Sequence, residues 1–414
     1  MALHQRVPFF YGWVIVAFTF VLQFISIGLS YYTIGIFLVP LTEALDADRF
    51  TISLTTSIQM GVMALLSPIA GKWFAKLPIK SLLLAGVTCL SIGYISLSQV
   101  SAVWQLYLLY GGLVGFGAVL LGIIPCNLLL ANWFERRRGT AIGVSQFGIS
   151  FSGTMLVPAV TWVLVTYGWP TAFASSGIIA ALVLVPLILL TVVKTPQEVS
   201  LTPDNEPQVE AEAAEHSATE WTLRKVIKHR DIWFLTLTIG PCYLGISSVI
   251  LAMPSHITDM GIEPIDAAFV LGVTTLFAAV AKPFFGILSD FVNKKLAISF
   301  AILLQATGVL TLLLAEQFSL LLIAGVCFGL GYGAMSPLWG LILAARFGRH
   351  SFAQIMGSNQ LLLMPFSMLG LPITTFVFGV TGSYTPAFTG LFGGYLVALI
   401  CIYWFRLAPN APYD

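Results

Sequence analysis

The chain has 414 residues, of which 58% are hydrophobic and only 9% are charged, and its formal net charge is +1. Ordinary soluble domains contain roughly 25% charged residues, so a soluble fold of this size would lack the polar residues needed to cover its surface. Because the formal net charge is close to zero, the composition does not indicate a basic surface that would bind nucleic acid. The five cysteines all lie in apolar stretches without metal-type or redox spacing, so we expect no metal site and no cofactor.

Runs of about 20 apolar residues recur along the whole chain, and each is long enough to cross about 30 Å of hydrocarbon as a helix. They predict an all-α, polytopic membrane protein that lies in a lipid bilayer. The first run has no small-residue cleavage site, so we predict a retained helix and not a cleaved signal peptide. Twelve spans are predicted, at about 10–40, 51–75, 80–98, 102–132, 139–165, 170–193, 231–257, 266–288, 295–314, 318–345, 352–379 and 385–407.

A segment of different chemistry separates the sixth and seventh spans. Residues 194–220 are rich in acidic residues, contain three prolines and have almost no large apolar residue, so they are predicted to be a disordered linker. Residues 221–230 pair basic with apolar side chains, a pattern typical of a short amphipathic helix on the membrane surface. The predicted organisation is therefore an N-terminal six-helix bundle at 1–193, a cytoplasmic linker at 194–230 and a C-terminal six-helix bundle at 231–414.

Basic residues in the short loops predict the orientation of the chain. They concentrate on one side of the membrane, whereas the loops of the other side have Arg49 as their only basic residue. By the positive-inside rule, both termini and the linker are predicted to be cytoplasmic. The basic residues of the predicted cytoplasmic loops are Lys72, Lys76, Lys80, Arg136, Arg137, Arg138, Lys294, Lys295, Arg346, Arg349 and His350.

The two halves of the chain repeat. Single glycines, prolines and glutamines recur at an offset that stays between 212 and 215 residues, which chance matches would not maintain. Two homologous bundles in the same orientation predict a transporter with its site at the interface of the halves. In this register, Lys282 of the second half corresponds to Ser67 of the first. The matched positions are Pro40 and Pro254, Gly71 and Gly286, Gly115 and Gly329, Gly117 and Gly331, Pro125 and Pro337, Gly143 and Gly357, and Gln146 and Gln360.

Lys282 is the only charged residue in the apolar run at 267–288. An ionised side chain in hydrocarbon costs several kcal/mol unless a partner or a water-filled cavity receives it, so such a residue indicates a pathway or a binding site. Lys282 precedes Asp290 by eight residues and therefore lies ~12 Å inside the cytoplasmic end of its helix. We interpret it as an ammonium that binds an anionic substrate. The alternative is a lysine that snorkels to the interface.

The segment from Gly286 through Asp290 to Lys294 and Lys295 resembles the cytoplasmic signature of the major facilitator superfamily, in which an acid and bases latch neighbouring helices. A first-half copy of the signature contains Gly71, Lys76 and Lys80. That copy has Ala75 where the family has aspartate. The resemblance implies a fold of twelve transmembrane helices in two pseudo-symmetric six-helix bundles.

Three further stretches are similar to the monocarboxylate porters and their oxalate/formate antiporter relatives. They are Tyr11-Gly12-Trp13, residues 132–143 and Ala281-Lys282-Pro283. In those relatives an arginine before the proline binds the substrate carboxylate, and here Lys282 takes its place. Two departures are Ala278, where the porters often have an aspartate, and the neighbourhood of Leu363, where the oxalate antiporter has a second cation.

Polar side chains within the spans are candidates for lining a substrate site. Tyr32 matches an aromatic residue that lines the site in the antiporter relatives, and Tyr31 is a weaker candidate. Amides in membrane spans must face protein or a cavity. Contacts between helices remain the alternative for all of these residues, and the same ambiguity applies to Gln23. The other candidates are Asn127, Gln146, Gln360, Asn359, Tyr332 and Trp339.

Proton coupling requires a titratable group, and the candidates are Lys282, His256 and Asp259. His256 and Asp259 lie near the outer end of the seventh span, so they are alternatively solvated loop residues. The chain contains no Ser/His/Asp or Cys/His set placed for catalysis, and we predict no enzyme activity.

These patterns together predict a secondary transporter of the plasma membrane, or of the inner membrane if the cell is bacterial. We expect a monomer that moves a small monocarboxylate by alternating access, with a proton as the coupled ion. One alternative is an exporter of neutral or drug-like solutes, and another is an organic anion exchanger. A non-transporting receptor or scaffold is a further alternative, against which the buried lysine argues.

Overall fold

A computed structural model describes residues 9–134, 137–205, 228–347 and 352–405. These residues form helices and loops without a strand, and 12 helices are long and apolar enough to cross a membrane. The predicted all-α membrane fold is confirmed, and the predicted span boundaries lie within about four residues of the helix ends. The helices are α1 Gly12–Ala44, α2 Arg49–Lys76, α3 Ile79–Leu97, α4 Val103–Trp133, α5 Arg138–Tyr167, α6 Trp169–Thr191, α7 Arg230–Asp259, α8 Pro264–Phe291, α9 Lys294–Leu314, α10 Phe318–Phe347, α11 Phe352–Thr381 and α12 Thr385–Trp404.

Two of these helices depart from regular α geometry. In α1 a π-helical segment, Gly28–Tyr32, separates two α-helical parts. In α4 a second π segment covers Tyr107–Val114, and the backbone breaks at Gly122, where ψ is -147°. π segments inside α-helices are rare and frequently occur at functional sites.

The contacts divide the chain into two compact units. Unit 1 contains Met1–Ala211 and Ile257–Ala268, and unit 2 contains Glu212–His256 and Phe269–Asp414. The end of α7 and the start of α8 therefore belong to unit 1 by their contacts. The division predicted from the sequence placed both segments in the C-terminal bundle at 231–414. Of the predicted linker, residues 194–205 form two short 3₁₀ turns, Pro196–Val199 and Pro203–Asn205. The rest of the linker and most of the predicted amphipathic helix lie outside the described residues.

Glycines bring the second and fourth helices of each repeat together. In unit 2, a side chain added at Gly329 or Gly333 of α10 would overlap the backbone carbonyls of Thr274 and Ala278 in α8. In unit 1, a Cβ at Gly115 of α4 would lie 3.2 Å from Gln59 Cγ in α2. Small residues allow such close approach in membrane helices. The two units thus use matched glycines for the same helix pair.

Candidate functional site

Lys282 lies in α8 of unit 2, directly before Pro283. Its side chain is partly exposed, whereas Ala278 and Ala281 are fully buried. Thr274, Ala278 and Lys282 are spaced by four residues and therefore lie on one face of the helix. Since the first two contact glycines of α10, Lys282 lies one turn beyond that close contact. A compact ammonium with three donors is suited to bind a carboxylate.

Both polar atoms of the Asn359 side chain, in unit 2, form hydrogen bonds within the protein. Its Oδ1 accepts a hydrogen bond from Trp339 Nε1 at 2.7 Å, and its Nδ2 donates to Thr236 Oγ1 at 2.9 Å. The bonds join α10, α11 and α7, and Asn359 is 0% exposed. The Trp339 ring also packs edge-on against Tyr243, with ring centroids 6.1 Å apart. This geometry is typical of helix-to-helix contact, the alternative for Asn359 and Trp339.

Two other candidates in unit 2 have more accessible side chains. Tyr332 of α10 is partly exposed, and Gln360 of α11 is exposed. The adjacent position, Leu361, is exposed as well, at 57%, whereas Leu363 is fully buried. Of the two candidate amides in α11, Gln360 is therefore the exposed one.

The neighbouring tyrosines of α1 in unit 1 have opposite environments. Tyr32 is 0% exposed, whereas Tyr31 is partly exposed. Their rings meet edge-on, with centroids 5.3 Å apart. Tyr31 is thus the more accessible of the two residues, although the sequence favoured Tyr32.

Three amides of unit 1 lie in different surroundings. Gln23 is fully buried and donates from Nε2 to Ser145 Oγ at 3.1 Å. Asn127 and Gln146 are partly exposed. Within the described residues, Gln23 Oε1 and Asn127 Oδ1 are buried and accept no hydrogen bond. Buried polar atoms are normally paired, so these two oxygens are candidates to accept a donor from water or substrate.

The two outer candidates for proton coupling have protein neighbours. Asp259 accepts two hydrogen bonds from Arg49, with Nη1 to Oδ2 at 2.5 Å and Nη2 to Oδ1 at 2.7 Å. His256 packs edge-on against Tyr384 and Phe388, with ring centroids 5.5 and 5.2 Å apart. The pairing of Arg49 with Asp259 was not predicted, although Arg49 is the one basic residue of the predicted outer loops.

The residues of the predicted latch signature lie mostly at the surface. Gly71, Lys76 and Lys80 are exposed, and Gly286, Lys294 and Lys295 are partly exposed. Lys295 Nζ donates to the carbonyl of Tyr403 at 3.3 Å and so joins α9 to α12. The side chain of Asp290 lies outside the described part of the structure, as does the whole of Arg136.

Two of the stretches that carry the family resemblance contact each other in unit 1. The rings of Tyr11 and Trp133 lie 5.5 Å apart, and those of Trp13 and Phe134 lie 5.3 Å apart. Helix ends leave carbonyl groups without partners inside the helix. At the end of α6, the Thr191 carbonyl accepts a hydrogen bond from the Tyr11 hydroxyl at 2.8 Å. Just beyond the helix, the Val193 carbonyl accepts from Trp133 Nε1 at 3.0 Å and the Lys194 carbonyl accepts from Asn132 Nδ2 at 3.1 Å.

A cluster of charged residues at the start of α7 was not predicted from the sequence. Arg346 Nε lies 2.7 Å from Asp231 Oδ2. The Asp231 amide donates to His229 Nδ1 at 3.2 Å, so the imidazole acts as an acceptor. Burial lowers the pKa of His229, and Arg346 and Arg230 lower it further, whereas Asp231 opposes them.

Comparison with known proteins places these features in a family. The sequence profile of the Major Facilitator Superfamily matches residues 19–245 and 235–413. Human monocarboxylate transporter 2 is 25% identical over 391 residues, which cover 90% of this chain and 81% of that protein. Bovine monocarboxylate transporter 13 is 25% identical, covering 98% of this chain and 93% of that protein. Human monocarboxylate transporter 11 is 26% identical over 91% of this chain and 79% of that protein.

Solved structures share the fold at lower sequence identity. A bacterial homologue of the human lysosomal transporter Spinster, inward-facing and occupied, gives a TM-score of 0.72 at 15% identity and covers 96% of both chains. Its inward-facing and unoccupied form gives 0.75 at 14% identity, over 96% of this chain and 97% of that one. This chain belongs to the Major Facilitator Superfamily, and it is a multi-pass membrane transporter, not an enzyme.

Proposed function

We propose that this transporter moves a small monocarboxylate across the plasma membrane, or the inner membrane of a bacterial cell, by alternating access. Lys282 supports the proposal most directly, because it places a partly exposed ammonium within an otherwise uncharged stretch of α8. An ionised side chain within a membrane span costs free energy unless a partner or a water-filled cavity receives it, so such a residue indicates a pathway or a site. The relatives named as monocarboxylate transporters support the same substrate class.

The substrate carboxylate binds the Lys282 ammonium in this scheme. The further substrate contacts that we propose, each within its own unit, are Tyr332 and Gln360 in unit 2 and Tyr31, Gln146 and Asn127 in unit 1, all of which are exposed or partly exposed. Hydroxyl and amide hydrogens donate to carboxylate oxygens, and the buried Asn127 Oδ1 accepts a donor from a substrate hydroxyl. Asn359, Trp339 and Tyr32 support this set from buried positions.

One proton moves with each carboxylate, which makes the cycle electroneutral. Of the three coupling candidates, Asp259 is already bonded to Arg49, and His256 packs among aromatic rings. The candidate that we propose is Lys282, because it lies within an otherwise uncharged stretch of α8. The loop charges support an orientation with both termini in the cytoplasm.

A ligand screen on the purified protein tests the substrate class. A ligand that binds only the folded state raises the melting temperature, by an amount that grows with its concentration relative to Kd. We expect short monocarboxylates to raise it in the wild type but not in Lys282→Ala. The matched control is Lys228→Ala, at an exposed position that precedes α7. Equal stabilisation by neutral amides of the same acids would favour an exporter of neutral solutes.

A further inference from the structure

The π segment of α1 carries both Tyr31 and Tyr32. Its widened turn is closed by Thr33, whose amide donates to the Gly28 carbonyl at 3.2 Å. A π turn interrupts the regular bonding of an α-helix, so bonds from outside the turn are needed to hold it in place. In this protein they come from buried side chains that donate to two consecutive carbonyls.

The first of these carbonyls belongs to Leu29. It accepts a hydrogen bond from Thr33 Oγ1 at 2.7 Å and another from the hydroxyl of Tyr94 in α3. The two donors also contact each other, with 3.0 Å between their hydroxyl oxygens. Thr33 and Tyr94 are both 0% exposed, so water does not compete for these bonds.

The second carbonyl belongs to Ser30. It accepts from Gln59 Nε2 of α2 at 2.7 Å and from the hydroxyl of Tyr110 in α4 at 3.0 Å. Gln59 is 3% exposed and Tyr110 is 0% exposed. Gly115 of α4 lets Gln59 come this close, because a Cβ there would lie 3.2 Å from Gln59 Cγ.

The donors of this network are sufficient for both carbonyls. A carbonyl oxygen has two lone pairs. The Ser30 carbonyl receives two donors, and the Leu29 carbonyl receives Thr33 and Tyr94 together with a longer bond from the Tyr110 hydroxyl at 3.3 Å. Besides Thr33 of α1 itself, the donors come from three different helices, so α2, α3 and α4 all hold the same turn of α1. Removal of one donor leaves a buried carbonyl with fewer hydrogen bonds. It therefore lowers the stability of the π turn relative to a regular α turn.

The register of this turn, meaning the rotation of its residues about the helix axis, determines which of the two tyrosines is accessible. A shift of one residue rotates a helix by about 100°. In the observed register Tyr31 is partly exposed, whereas Tyr32 is fully buried. A regular α turn at this position would change the direction of one tyrosine relative to the first part of the helix.

We propose that Tyr94, Tyr110 and Gln59 are positioning residues, which hold the π turn so that the hydroxyl of Tyr31 is presented to the carboxylate substrate. They do not contact the substrate themselves. The role of Tyr31 rests on the proposed function, whereas the control of register rests on the geometry of unit 1 alone.

The chain provides a matched control for this network. Tyr107 lies in the π segment of α4, as Tyr110 does, but its hydroxyl donates to the Thr51 carbonyl of α2 at 2.8 Å and not to α1. Tyr94→Phe, Tyr110→Phe and Tyr107→Phe each remove one hydroxyl and keep the ring. Gln59→Leu removes a donor from a third helix and serves if a tyrosine variant fails to fold.

Cysteine reporters measure the register without any substrate. Tyr31→Cys and Tyr32→Cys are introduced separately into full-length protein whose five native cysteines are replaced, and labelling by a methanethiosulfonate reagent is timed. We expect Tyr31→Cys to label about tenfold faster than Tyr32→Cys, because a buried thiol reacts only through local opening. Tyr94→Phe, Tyr110→Phe or Gln59→Leu should lower this ratio severalfold, whereas Tyr107→Phe should leave it unchanged.

Transport kinetics then test the consequence for substrate. In the network variants the KM of a transported monocarboxylate should rise roughly two- to tenfold, with Vmax largely retained. An unchanged labelling ratio would overturn the proposal, even if the melting temperature fell, because it would show a purely structural role. A changed ratio in a protein that binds no carboxylate would instead refute the proposed function and leave the register control standing.

Discussion

Arg346 and Asp231 form a buried ion pair that joins the end of α10 to the start of α7, with 2.7 Å between Nε and Oδ2. Their side chains are only 5% and 2% exposed. Loss of one partner from a buried pair leaves an uncompensated charge and is strongly destabilising, whereas replacement of both partners by apolar residues is often neutral.

We therefore predict that Arg346→Met alone lowers the stability of unit 2 by about 3–5 kcal/mol. Asp231→Leu alone should have a similar effect, whereas the double variant should recover most of the loss. Thermal unfolding of the detergent-solubilised protein measures all three. A double variant no more stable than the two single variants would show that the pair is not the source of the effect.

The protonation of His229 provides a pH prediction. Its pKa is lowered by burial and by Arg346 and Arg230, with Asp231 acting in the opposite direction. A histidine whose folded pKa lies below its unfolded value of about 6.5 keeps its full contribution above that pH and loses it as the pH falls through the folded pKa. The melting temperature should therefore fall as the pH drops from about 6.5.

His229→Asn tests this assignment, because asparagine accepts a hydrogen bond from the Asp231 amide but does not titrate. The variant should match the wild type near pH 8 and lose less stability near pH 5. If the two proteins lose stability in parallel, another group is responsible for the acid sensitivity.

The pair formed by Arg49 and Asp259 should affect transport more than stability. Its side chains are 13% and 31% exposed, and accessible ion pairs contribute only about 0.2–1 kcal/mol. A bidentate pair must nevertheless break whenever the start of α2 separates from segment 257–268. We predict that Arg49→Ala and Asp259→Ala change the transport rate severalfold while the melting temperature changes little.

The charge-swapped protein, Arg49→Asp with Asp259→Arg, should recover the wild-type rate measured in proteoliposomes. Glu316→Gln is the matched control, because it removes an exposed acid from a loop without a bond to Arg49 in the described residues. A swap that behaves like the single variants would contradict a role for the pair itself.

Substrate charge gives a further prediction. One ammonium neutralises one carboxylate, and a dianion at the same site keeps an unpaired charge at a cost of several kcal/mol. Position 363 of α11 holds a leucine that is 0% exposed, so it provides no second cation. Uptake competition at neutral pH should rank lactate-sized or somewhat larger monocarboxylates above oxalate, malonate and succinate.

Diacids should compete better at lower pH, where they lose one charge. The comparison requires a correction for the effect of pH on uptake of the reference monocarboxylate. Equal competition by dianions at neutral pH would mean that the site contains a second positive group or is not built around Lys282.

The twelve helices were predictable because their signal is local. A run of about 20 apolar residues is sufficient to indicate a span, and the recurrence of Gly115 as Gly329 indicated matched packing in the two halves. The contacts in the structure agree, because both glycines lie against the second helix of their own repeat. The position of Lys282 within α8 was predictable for the same reason.

Contacts between distant residues were not predictable in this way. Arg346 and Asp231 are 115 positions apart, and Arg49 and Asp259 are 210 apart. The π turn at Gly28–Tyr32 depends on donors from three other helices, so the surrounding sequence of α1 does not reveal it. The sequence favoured Tyr32 through its match to the antiporter relatives, whereas in the structure Tyr32 is buried and Tyr31 is partly exposed.

Exchange of radiolabelled monocarboxylate by Lys282 variants in proteoliposomes tests the central claim most directly. Lys282→Ala should abolish exchange while the protein keeps its fold, and Lys282→Arg should retain part of it, since the charge remains with altered geometry. Lys228→Ala, at an exposed position before α7, should exchange like the wild type. Normal exchange by Lys282→Ala would contradict the account, because it would show that the lysine only snorkels to the membrane interface.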